Sequence, residues 1–405
     1  MAGTLAVHGA KNAVLPILAA ATICGDCVIH NCPDLTDVAV AMDILGHLGC
    51  DARREGSTII TTASSGGDWR IPDGLMKAMR SSVVFLGGMI ARHGEGEISL
   101  PGGCELGSRP VDLHLFALER LGAQVEEGEG KLRCKAPNGL HGAKIEFPFP
   151  SVGATENAII AAVTARGDTQ ITGGAREPEI ADLITFLQGC GAKIHLTIDG
   201  VIHIQGVERL HGCEHTVIAD RIAAGTYLCA AAITGGEVLL TGLTPGHVLT
   251  ALAYLSNAGC VVRTSLNSIW LKAPDRLKEL GIIRTQPYPG FPTDMQAVMM
   301  ATAMGADGTS VFVENIFDSR FRHVEELRKL GADISTQGKT AVVSGVECLH
   351  GADLCCTDLR GGAAVVLGAM AAEGASTVRE LSHIDRGYER FAENLTQLGV
   401  DIKEE

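Results

Sequence analysis

A thiol and a guanidinium, Cys104 and Arg109, lie five residues apart in a glycine-rich stretch. Residues 100–114 read LPGGCELGSRPVDLH, and their prolines and glycines disfavour a regular helix or strand, so the stretch is predicted to be a loop. A flexible loop with one thiol and one cation could close over an anionic ligand. It could also be a surface turn with an incidental cysteine. The stretch by itself leaves both interpretations open.

Small apolar stretches recur along the chain, and polar residues stand at their starts. The stretches, such as NAVLPILAAATIC at 12–24, are apolar almost all round and are predicted to be buried helices. The polar residues at their starts are Lys11, Asn12, Arg80, Ser151, Asp220, Arg221, Asp294, Asp358 and Arg360. Because helix N-termini carry partial positive charge and free N–H groups, six converging starts would form an anion site. Any one of these residues, taken alone, could be a helix cap or a surface charge.

The elements that must position these residues repeat along the chain. After each of six helical stretches, a glycine precedes a small residue and a predicted strand, at positions 49, 122, 191, 259, 331 and 399, a spacing of 68–73 residues. This pattern is typical of a helix C-cap glycine that leads into a strand. Each copy is predicted to hold one buried helix, one amphipathic helix and several short strands. The apolar run 13–23 is therefore interpreted as an internal helix and not as a signal peptide.

The amino-acid composition limits the kinds of ligand and the cellular compartment that are expected for the chain. The formal charge of −14 argues against a nucleic-acid binder, although a local positive pocket could still hold a small anion. The thirteen cysteines are an odd number in a chain without a convincing export signal, which predicts a reduced, cytoplasmic protein. Cys24 and Cys27 form a C-x-x-C, but no second pair or histidine follows at zinc spacing, so a packing role is predicted for them.

Six copies in 405 residues are too many for one compact core, so two domains of three copies are predicted. The predicted domains are 12–219, with the cysteine loop, and 220–405 together with 1–11. A ligand cleft is predicted between them.

Eight motifs identify a family. In chain order they are GAKNAVLP (9–16), LPGGCELGSRPVDLH (100–114), SVGATEN (151–157), AREPEI (175–180), DRIAAGT (220–226), FPTDMQA (291–297), TDLRGGA (357–363) and HIDRGYER (383–390). Together they resemble the UDP-N-acetylglucosamine 1-carboxyvinyltransferases, over essentially the whole chain. The resemblance implies an α/β fold of two inside-out barrels, each built from three βαβαββ units, which agrees with the six copies counted from the glycines.

The resemblance also implies the reaction. Enolpyruvate passes from phosphoenolpyruvate to the 3-hydroxyl of UDP-N-acetylglucosamine, phosphate is released, and no metal or organic cofactor takes part. Cys104 is implied as the proton donor and as the thiol that the epoxide fosfomycin alkylates, and Asp294 is implied as the base. Both substrates are small molecules, with neither nucleic acid nor membrane as a partner. The oligomeric state is left open.

Further site residues are carried over by the same resemblance. Lys11 and Arg386 join Cys104 and Asp294 in the implied catalytic set. The cations implied for phosphoenolpyruvate are Lys11, Arg109, Arg320, Arg360 and Arg386. The residues implied for the UDP-sugar are Asn12, Arg80, Arg109, Pro110, Val111, Asp112, Leu113, Phe149, Pro150, Ser151, Val152, Gly153, Asp294 and Ile316.

The sequence differs from the family pattern at two of the places compared, and two other functions remain as alternatives. Family members carry about one more strand's length of sequence before the residue equivalent to Met1. Asp318 and Ser319 stand where Glu-Asn is expected before Arg320. One rival is enolpyruvylshikimate phosphate synthase, which shares the fold and phosphoenolpyruvate. The other is a catalytically silent paralogue that binds the UDP-sugar as a regulator.

Overall fold

The computed structural model describes residues 1–64, 66–79, 81–99, 111–128 and 130–403. They form two compact units, and among these described residues the unit boundaries fall at residues 8–9 and 218–219. The N-terminal unit starts at Gly9 and ends at Ile218, and the C-terminal unit joins Met1–His8 to the chain from Ala219 onward. Lys11, which the sequence analysis grouped with residues 1–10 in the second domain, lies in the N-terminal unit.

The described residues form helices of two kinds, internal and amphipathic, that alternate along the chain except at one short additional helix, α3 (Asp73–Ala78). In chain order they are α1 (Lys11–Ala21), α2 (Thr36–His47), α3 (Asp73–Ala78), α4 (Leu86–His93), α5 (Asp112–Arg120), α6 (Val152–Ala162), α7 (Pro178–Gly189), α8 (Arg221–Ile233), α9 (Leu249–Asn257), α10 (Gln296–Ala303), α11 (Val324–Lys329), α12 (Leu359–Ala371) and α13 (Phe391–Gln397). Short 3-10 turns precede four of them, at Ser82–Phe85, Pro245–Val248, Thr293–Met295 and Leu381–His383.

The strands are short. They are β1 (Ala2–Ala6), β2 (Cys27–His30), β3 (Cys50–Glu55), β4 (Thr58–Ala63), β5 (Glu95–Ser99), β6 (Gln124–Gly128), β7 (Lys131–Lys135), β8 (Lys144–Glu146), β9 (Asp168–Thr172), β10 (Lys193–Leu196), β11 (Ile202–Gln205), β12 (Glu214–Thr216), β13 (Glu237–Thr241), β14 (Val261–Thr264), β15 (Ser268–Lys272), β16 (Ile282–Arg284), β17 (Thr309–Val313), β18 (Asp333–Gln337), β19 (Thr340–Ser344), β20 (Asp353–Cys355) and β21 (Thr377–Arg379).

The repeating βαβαββ unit is complete in the middle of the chain. One copy runs β8-α6-β9-α7-β10-β11, and another runs β16-α10-β17-α11-β18-β19. In both, the first two strands are parallel and the last two form an antiparallel hairpin, which gives sheets ordered β10-β11-β9-β8 and β16-β17-β19-β18. The predicted α/β fold with six copies of one unit is confirmed.

Two strands have exchanged places between copies. Strand β1 pairs in parallel with β13 and completes the sheet β1-β13-β15-β14 of the C-terminal unit. Strand β12, which precedes α8 in the chain, instead pairs in parallel with β2 and completes the sheet β12-β2-β4-β3 of the N-terminal unit. In each of these two sheets, the first strand therefore comes from a distant part of the chain.

The predicted C-cap glycines end the amphipathic helices. All six, at 49, 122, 191, 259, 331 and 399, have positive φ, between 81° and 106°. This left-handed conformation is readily accessible to glycine and lets each helix turn sharply into a strand.

Each unit has its own aliphatic core around its internal helices. In the C-terminal unit α8, α10 and α12 pack on one another, and in the N-terminal unit α1 and α4 both pack against α6. Helix α1 is buried from Ala13 to Ala21, which confirms that the apolar run near the start of the chain is an internal helix. Among the described residues, no helix combines the length and the apolar character needed to cross a membrane.

Candidate active site

A carboxylate lies between two arginines in the C-terminal unit. Asp294 Oδ1 accepts a hydrogen bond from Arg320 Nη2 at 3.1 Å, and its Oδ2 accepts one from Arg360 Nη2 at 3.2 Å. The arginine side chains are only 2% and 3% exposed, whereas the Asp294 side chain is 29% exposed. Three of the predicted site residues therefore form one cluster, and its acidic member is the most accessible.

Two internal helices and one turn hold this cluster. Asp294 lies in the 3-10 turn Thr293–Met295 that leads into α10, and Arg320 Nη2 also donates to the carbonyl of Thr293 at 2.8 Å. Arg360 is the second residue of α12. The N-cap of that helix is Asp358, whose carboxylate accepts the N–H groups of Arg360 and Gly361 at 3.0 Å each. The cap fixes the first turn of α12 and hence the direction in which Arg360 leaves it.

The third internal helix of this unit begins in the same way. The Asp220 carboxylate accepts the N–H groups of Ile222 and Ala223 at 2.8 and 2.9 Å and caps α8. Arg221, the first residue of α8, lies with its guanidinium carbon 5.7 Å from the centre of the Tyr288 ring. The capping roles that the sequence left open for Asp220 and Asp358 are therefore present in the structure.

The charges around Asp294 favour an anionic ligand. Two guanidinium groups and one carboxylate leave a net positive charge, and the Nε of buried Arg320 has no hydrogen-bond partner among the described residues. Burial opposes the charge of Arg360, but a hydrogen bond to Tyr388 and the carboxylates of Asp294 and Asp220 outweigh burial and raise the pKa of Arg360 above its usual range. Planar guanidinium groups that stay charged when buried suit bidentate binding of phosphate or carboxylate oxygens.

The ring of Tyr388 packs against the guanidinium group of Arg360. The centre of its ring lies 5.2 Å from the guanidinium carbon, and its hydroxyl is 2.9 Å from the Thr226 hydroxyl on α8. Burial raises the pKa of the Tyr388 hydroxyl, which keeps it neutral at physiological pH. The predicted residue Arg386 is partly buried two positions before Tyr388, in the segment between the last 3-10 turn and α13.

A buried glutamate shapes the turn that carries Ile316. Glu314, which follows β17, accepts hydrogen bonds from the hydroxyls of Thr285 and Thr293, at 2.9 Å each. The same carboxylate accepts the backbone N–H of Ile316 at 2.8 Å and that of Phe317 at 3.1 Å. Glu314 thus ties the predicted residue Ile316 to the turn that holds Asp294. Glu314 was not among the predicted site residues, although a glutamate directly after an apolar strand, TSVFVE, was an available signal.

In the N-terminal unit the predicted cation Lys11 is already paired. Its Nζ lies 3.3 Å from Asp37 Oδ2, and the two side chains are 13% and 2% exposed. Lys11 is the first residue of α1, Asn12 is the second, and Asp37 lies in the first turn of α2. Asp37 was not predicted, because only the packing of α1 on α2 brings it to Lys11.

The motifs RPVDLH and SVGATEN meet through a histidine and an asparagine. Asn157 on α6 donates from Nδ2 to His114 Nδ1 on α5 and to the Val83 carbonyl, at 2.7 Å each, and its Oδ1 accepts the Gly87 N–H at 2.7 Å. Burial lowers the pKa of His114 to about 4, so its ring is neutral at physiological pH. A β-carbon on Gly153 would lie 3.0 Å from the His114 ring, which favours glycine there.

The same helices position several predicted sugar-binding residues. Ser151 is the N-cap of α6 and accepts the Ala154 N–H at 3.4 Å, with Val152 as the first helical residue. Phe149 is 45% exposed, and Pro150 is partly buried. Val111 occupies the N-cap position of α5 without a side-chain hydrogen bond, and the helix begins with Asp112 and Leu113. Four further predicted residues, Arg80, Cys104, Arg109 and Pro110, lie outside the described residues.

Candidate metal ligands cluster elsewhere. In the part of the chain that the structure describes, the thiols of Cys27, Cys190 and Cys213 are the one group of three or more close metal-ligating side chains. None of them was predicted to bind substrate.

Comparison with known proteins adds a family and a fold. Residues 1–395 match the family of EPSP synthase (3-phosphoshikimate 1-carboxyvinyltransferase). The chain is 46% identical to UDP-N-acetylglucosamine 1-carboxyvinyltransferase 2 of Caldanaerobacter subterraneus, over 99% of this chain and 96% of that protein. It is 44% identical to UDP-N-acetylglucosamine 1-carboxyvinyltransferase of Psychrobacter arcticus, over 100% of this chain and 96% of the relative. The crystal structure of the enolpyruvyl transferase NikO from Streptomyces tendae superposes with a TM-score of 0.89 at 25% identity, over 99% of this chain and 95% of the other.

Proposed function

This chain belongs to the EPSP synthase family, and on that premise we propose that it is an enolpyruvyl transferase acting on UDP-N-acetylglucosamine. The reaction moves enolpyruvate from phosphoenolpyruvate to the 3-hydroxyl of the sugar and releases phosphate, a step of peptidoglycan synthesis. The observation that carries the proposal is identity of 44–46% over 99–100% of the chain with relatives named for this reaction.

The cluster around Asp294 supports this chemistry. In the addition step, the Asp294 carboxylate accepts the proton of the sugar hydroxyl, whose oxygen bonds to C2 of phosphoenolpyruvate while C3 gains a proton. Arg320 and Arg360 each donate a hydrogen bond to one oxygen of the carboxylate, which fixes the orientation of the carboxylate. They also supply positive charge for the phosphate and carboxylate groups of phosphoenolpyruvate, together with Arg386 and Lys11.

In the elimination step the bond between C2 and the phosphate oxygen breaks, C3 loses a proton and the double bond re-forms. Phosphate is a poor leaving group until its charge is neutralised, so the buried guanidinium groups lower this barrier most if they contact the departing oxygens. We assign the proton transfer at C3 to Cys104 on the strength of the motif resemblance, since this residue lies outside the described part of the chain.

Residues of the N-terminal unit are proposed to hold the UDP-sugar. The N-terminus of α6 offers free N–H groups at Val152 and Gly153, and helix N-termini favour phosphate groups. Phe149 exposes a ring beside this helix start. Asn12 and residues 111–113 lie at the starts of α1 and α5. Arg80 and Arg109 are proposed as further cations for the diphosphate.

One assay tests the proposal against its rivals. Phosphate release from phosphoenolpyruvate is measured with UDP-N-acetylglucosamine, with shikimate 3-phosphate, or with neither acceptor. We expect release with the UDP-sugar alone. Release only with shikimate 3-phosphate would identify the rival synthase, and UDP-sugar binding without any release would identify a silent paralogue. A cytoplasmic location, predicted from the cysteine content, stays a prediction.

A further inference from the structure

Three cysteines from three separate parts of the N-terminal unit meet in one place. The Sγ atoms of Cys27, Cys190 and Cys213 all lie within 4.8 Å of one another, and those of Cys190 and Cys213 are 3.3 Å apart. We call these three sulfur atoms the thiol cluster. A further buried cysteine, Cys24, stands three residues before Cys27 in the chain.

The fold brings these residues together through fixed elements. Cys24 and Cys27 flank the turn between α1 and β2, Cys190 is the C-cap of α7, and Cys213 directly precedes β12. Because β12 pairs in parallel with β2, the N–H of Val28 donates to the Cys213 carbonyl at 2.9 Å. The cluster is thus anchored by two helix ends and a strand pair, which hold ligands more rigidly than a free loop does.

Glycines allow the two cysteine-bearing turns to touch. A β-carbon on Gly25 would lie 2.7 Å from the backbone nitrogen of Gly212, and one on Gly212 would lie 1.6 Å from the carbonyl oxygen of Asp26. Neither position accepts a side chain while the backbone stays in place. The sequences CGDC at 24–27 and HGC at 211–213 thus fit each other through their backbones, and this contact sets the spacing of the sulfurs.

The cluster is enclosed except on one side. Cys24, Cys27 and Cys190 are buried, and Cys213 is half-buried, which leaves one route by which an ion could enter. The other buried thiols of this unit, such as Cys134 on β7, are not part of this group. Packing alone does not require three sulfur atoms to lie so close together, since an aliphatic side chain fills such a space equally well.

We propose that Cys27, Cys190 and Cys213 bind a soft divalent cation of the Zn²⁺ class, and that Cys24, which forms a C-x-x-C with Cys27, supplies the fourth thiolate. In a tetrahedral zinc site with bonds of about 2.3 Å, the sulfur atoms stand roughly 3.8 Å apart. The Cys190–Cys213 separation is 3.3 Å and the other separations among the three thiols are at most 4.8 Å, so the cluster has about the dimensions of such a site. Four protein ligands leave no open position for a substrate, so the site is structural and separate from the proposed transferase chemistry.

A metal-binding role for Cys24 and Cys27 differs from the packing role predicted from the sequence, where no second pair follows at the spacing of a zinc finger. Cys190 and Cys213 are 23 residues apart and far along the chain, so only the folded unit reveals them. Binding would join the end of α1 to the end of α7, so we expect the metal to raise the thermal stability of the whole chain.

The test is metal content. The full chain is purified under reducing conditions, equilibrated with ZnCl₂, freed of loose metal, and measured by inductively coupled plasma mass spectrometry. We expect about one zinc per chain in the wild type and at least a tenfold lower content in Cys213→Ser. Cys213 is chosen because it is half-buried, and Cys348→Ser, a half-buried cysteine of the C-terminal unit, is the matched control and should keep its zinc.

A second readout uses the wild type alone. Co²⁺ in place of Zn²⁺ should give the thiolate-to-cobalt charge-transfer band and the intense visible bands of a tetrahedral four-sulfur site. The cobalt spectrum of the wild type tests the proposed metal site even if Cys213→Ser fails to fold. Wild-type protein without stoichiometric zinc and without these bands would overturn the proposal. So would zinc retained by a folded Cys213→Ser variant, or a Cys190–Cys213 disulfide in metal-free protein found by mass spectrometry of unreduced peptides.

Discussion

At the scale of single residues, the position of Asp294 is the most consequential feature. Its carboxylate is hydrogen-bonded by two almost fully buried arginines and is itself partly open to solvent. Two buried guanidinium groups without this carboxylate would repel each other, so Asp294 stabilises the pair that is proposed to bind phosphoenolpyruvate. One residue thereby takes both a chemical and a structural role.

Asp294→Asn should separate these two roles. The amide keeps the shape and one acceptor oxygen but cannot take the hydroxyl proton, so we expect kcat to fall by about 10²- to 10⁴-fold. Steady-state phosphate release measures this, with circular dichroism to confirm folding. Asp275→Asn, at an exposed position of the same unit, is the control and should retain wild-type kcat. Near-normal turnover in Asp294→Asn would remove the residue from the role of base.

Cys104→Ser tests the loop thiol. A hydroxyl is a much weaker acid than a thiol near cations, so we expect turnover to drop by about 10²-fold or more. Cys355→Ser, at a partly buried cysteine of β20, should be unaffected. Equal activity in the two variants would show that Cys104 is not the proton donor. Fosfomycin should add its mass to the wild-type Cys104 peptide and leave the peptide of the serine variant unmodified.

At the scale of elements, Asn157 connects the internal helices of the N-terminal unit. Its side chain satisfies groups on the 3-10 turn before α4, on α4 itself and on α5, all at 2.7 Å. Helix α5 begins directly after the stretch that carries Cys104. The orientation of α5 therefore depends on a hydrogen-bonded side chain in the core and not on apolar packing alone.

Asn157→Ala should weaken this arrangement. It leaves the Gly87 N–H, the Val83 carbonyl and the His114 ring without their partner, and each buried unsatisfied group costs about 1–3 kcal/mol. We expect the free energy of unfolding, measured with urea, to fall by roughly 3 kcal/mol or more, and Asn138→Ala at an exposed turn to change it by less than about 0.5 kcal/mol. A loss no larger than that of the control would contradict the connecting role.

Among the secondary-structure elements, some features could be predicted from the sequence and others could not. The internal helices and the glycines that end the amphipathic helices were predictable, because apolar composition and a 68–73-residue spacing are local properties of the chain. Asp37 and Asn157 could not be assigned in this way. Their partners are brought to them by helix packing or strand pairing across tens of residues, and one sequence does not show which elements pack together. The thiol cluster shows this most clearly, because Cys27 lies more than 160 residues before Cys190 and Cys213 in the sequence.

At the scale of the whole molecule, buried ionisable groups should make stability depend on pH. Burial lowers the pKa of His114 and of His323 to about 4, and burial together with Glu179 and Glu177 raises the pKa of Glu156 to about 8. Between pH 6.5 and 4 the unfolded chain binds the extra histidine protons, so stability falls as pH is lowered. Between about pH 4.5 and 8 the folded chain holds the extra Glu156 proton, so stability falls as pH rises.

We therefore expect maximal stability near pH 6.5, with a change of about 1.4 kcal/mol per pH unit for each group in its window. Glu156→Gln should flatten the alkaline side, which unfolding at pH 6.5 and 8.5 will show. Glu146→Gln, an exposed glutamate of β8, should leave the profile unchanged. A wild-type profile that is flat between these two pH values would contradict the burial of a protonated Glu156.

The exchange of β1 and β12 has a consequence for how the molecule is ordered. Ala2 N–H donates to the Leu398 carbonyl at 2.8 Å, and Gln397 donates to the Thr4 carbonyl at 3.0 Å, so residues near the two ends of the sequence are neighbours. In a permuted sequence that began at Gly9 and placed Met1–His8 after residue 403, the described residues of each unit would therefore follow one another without interruption by the other unit. Because the present ends are neighbours, a short connection between them would be enough to make such a permuted chain.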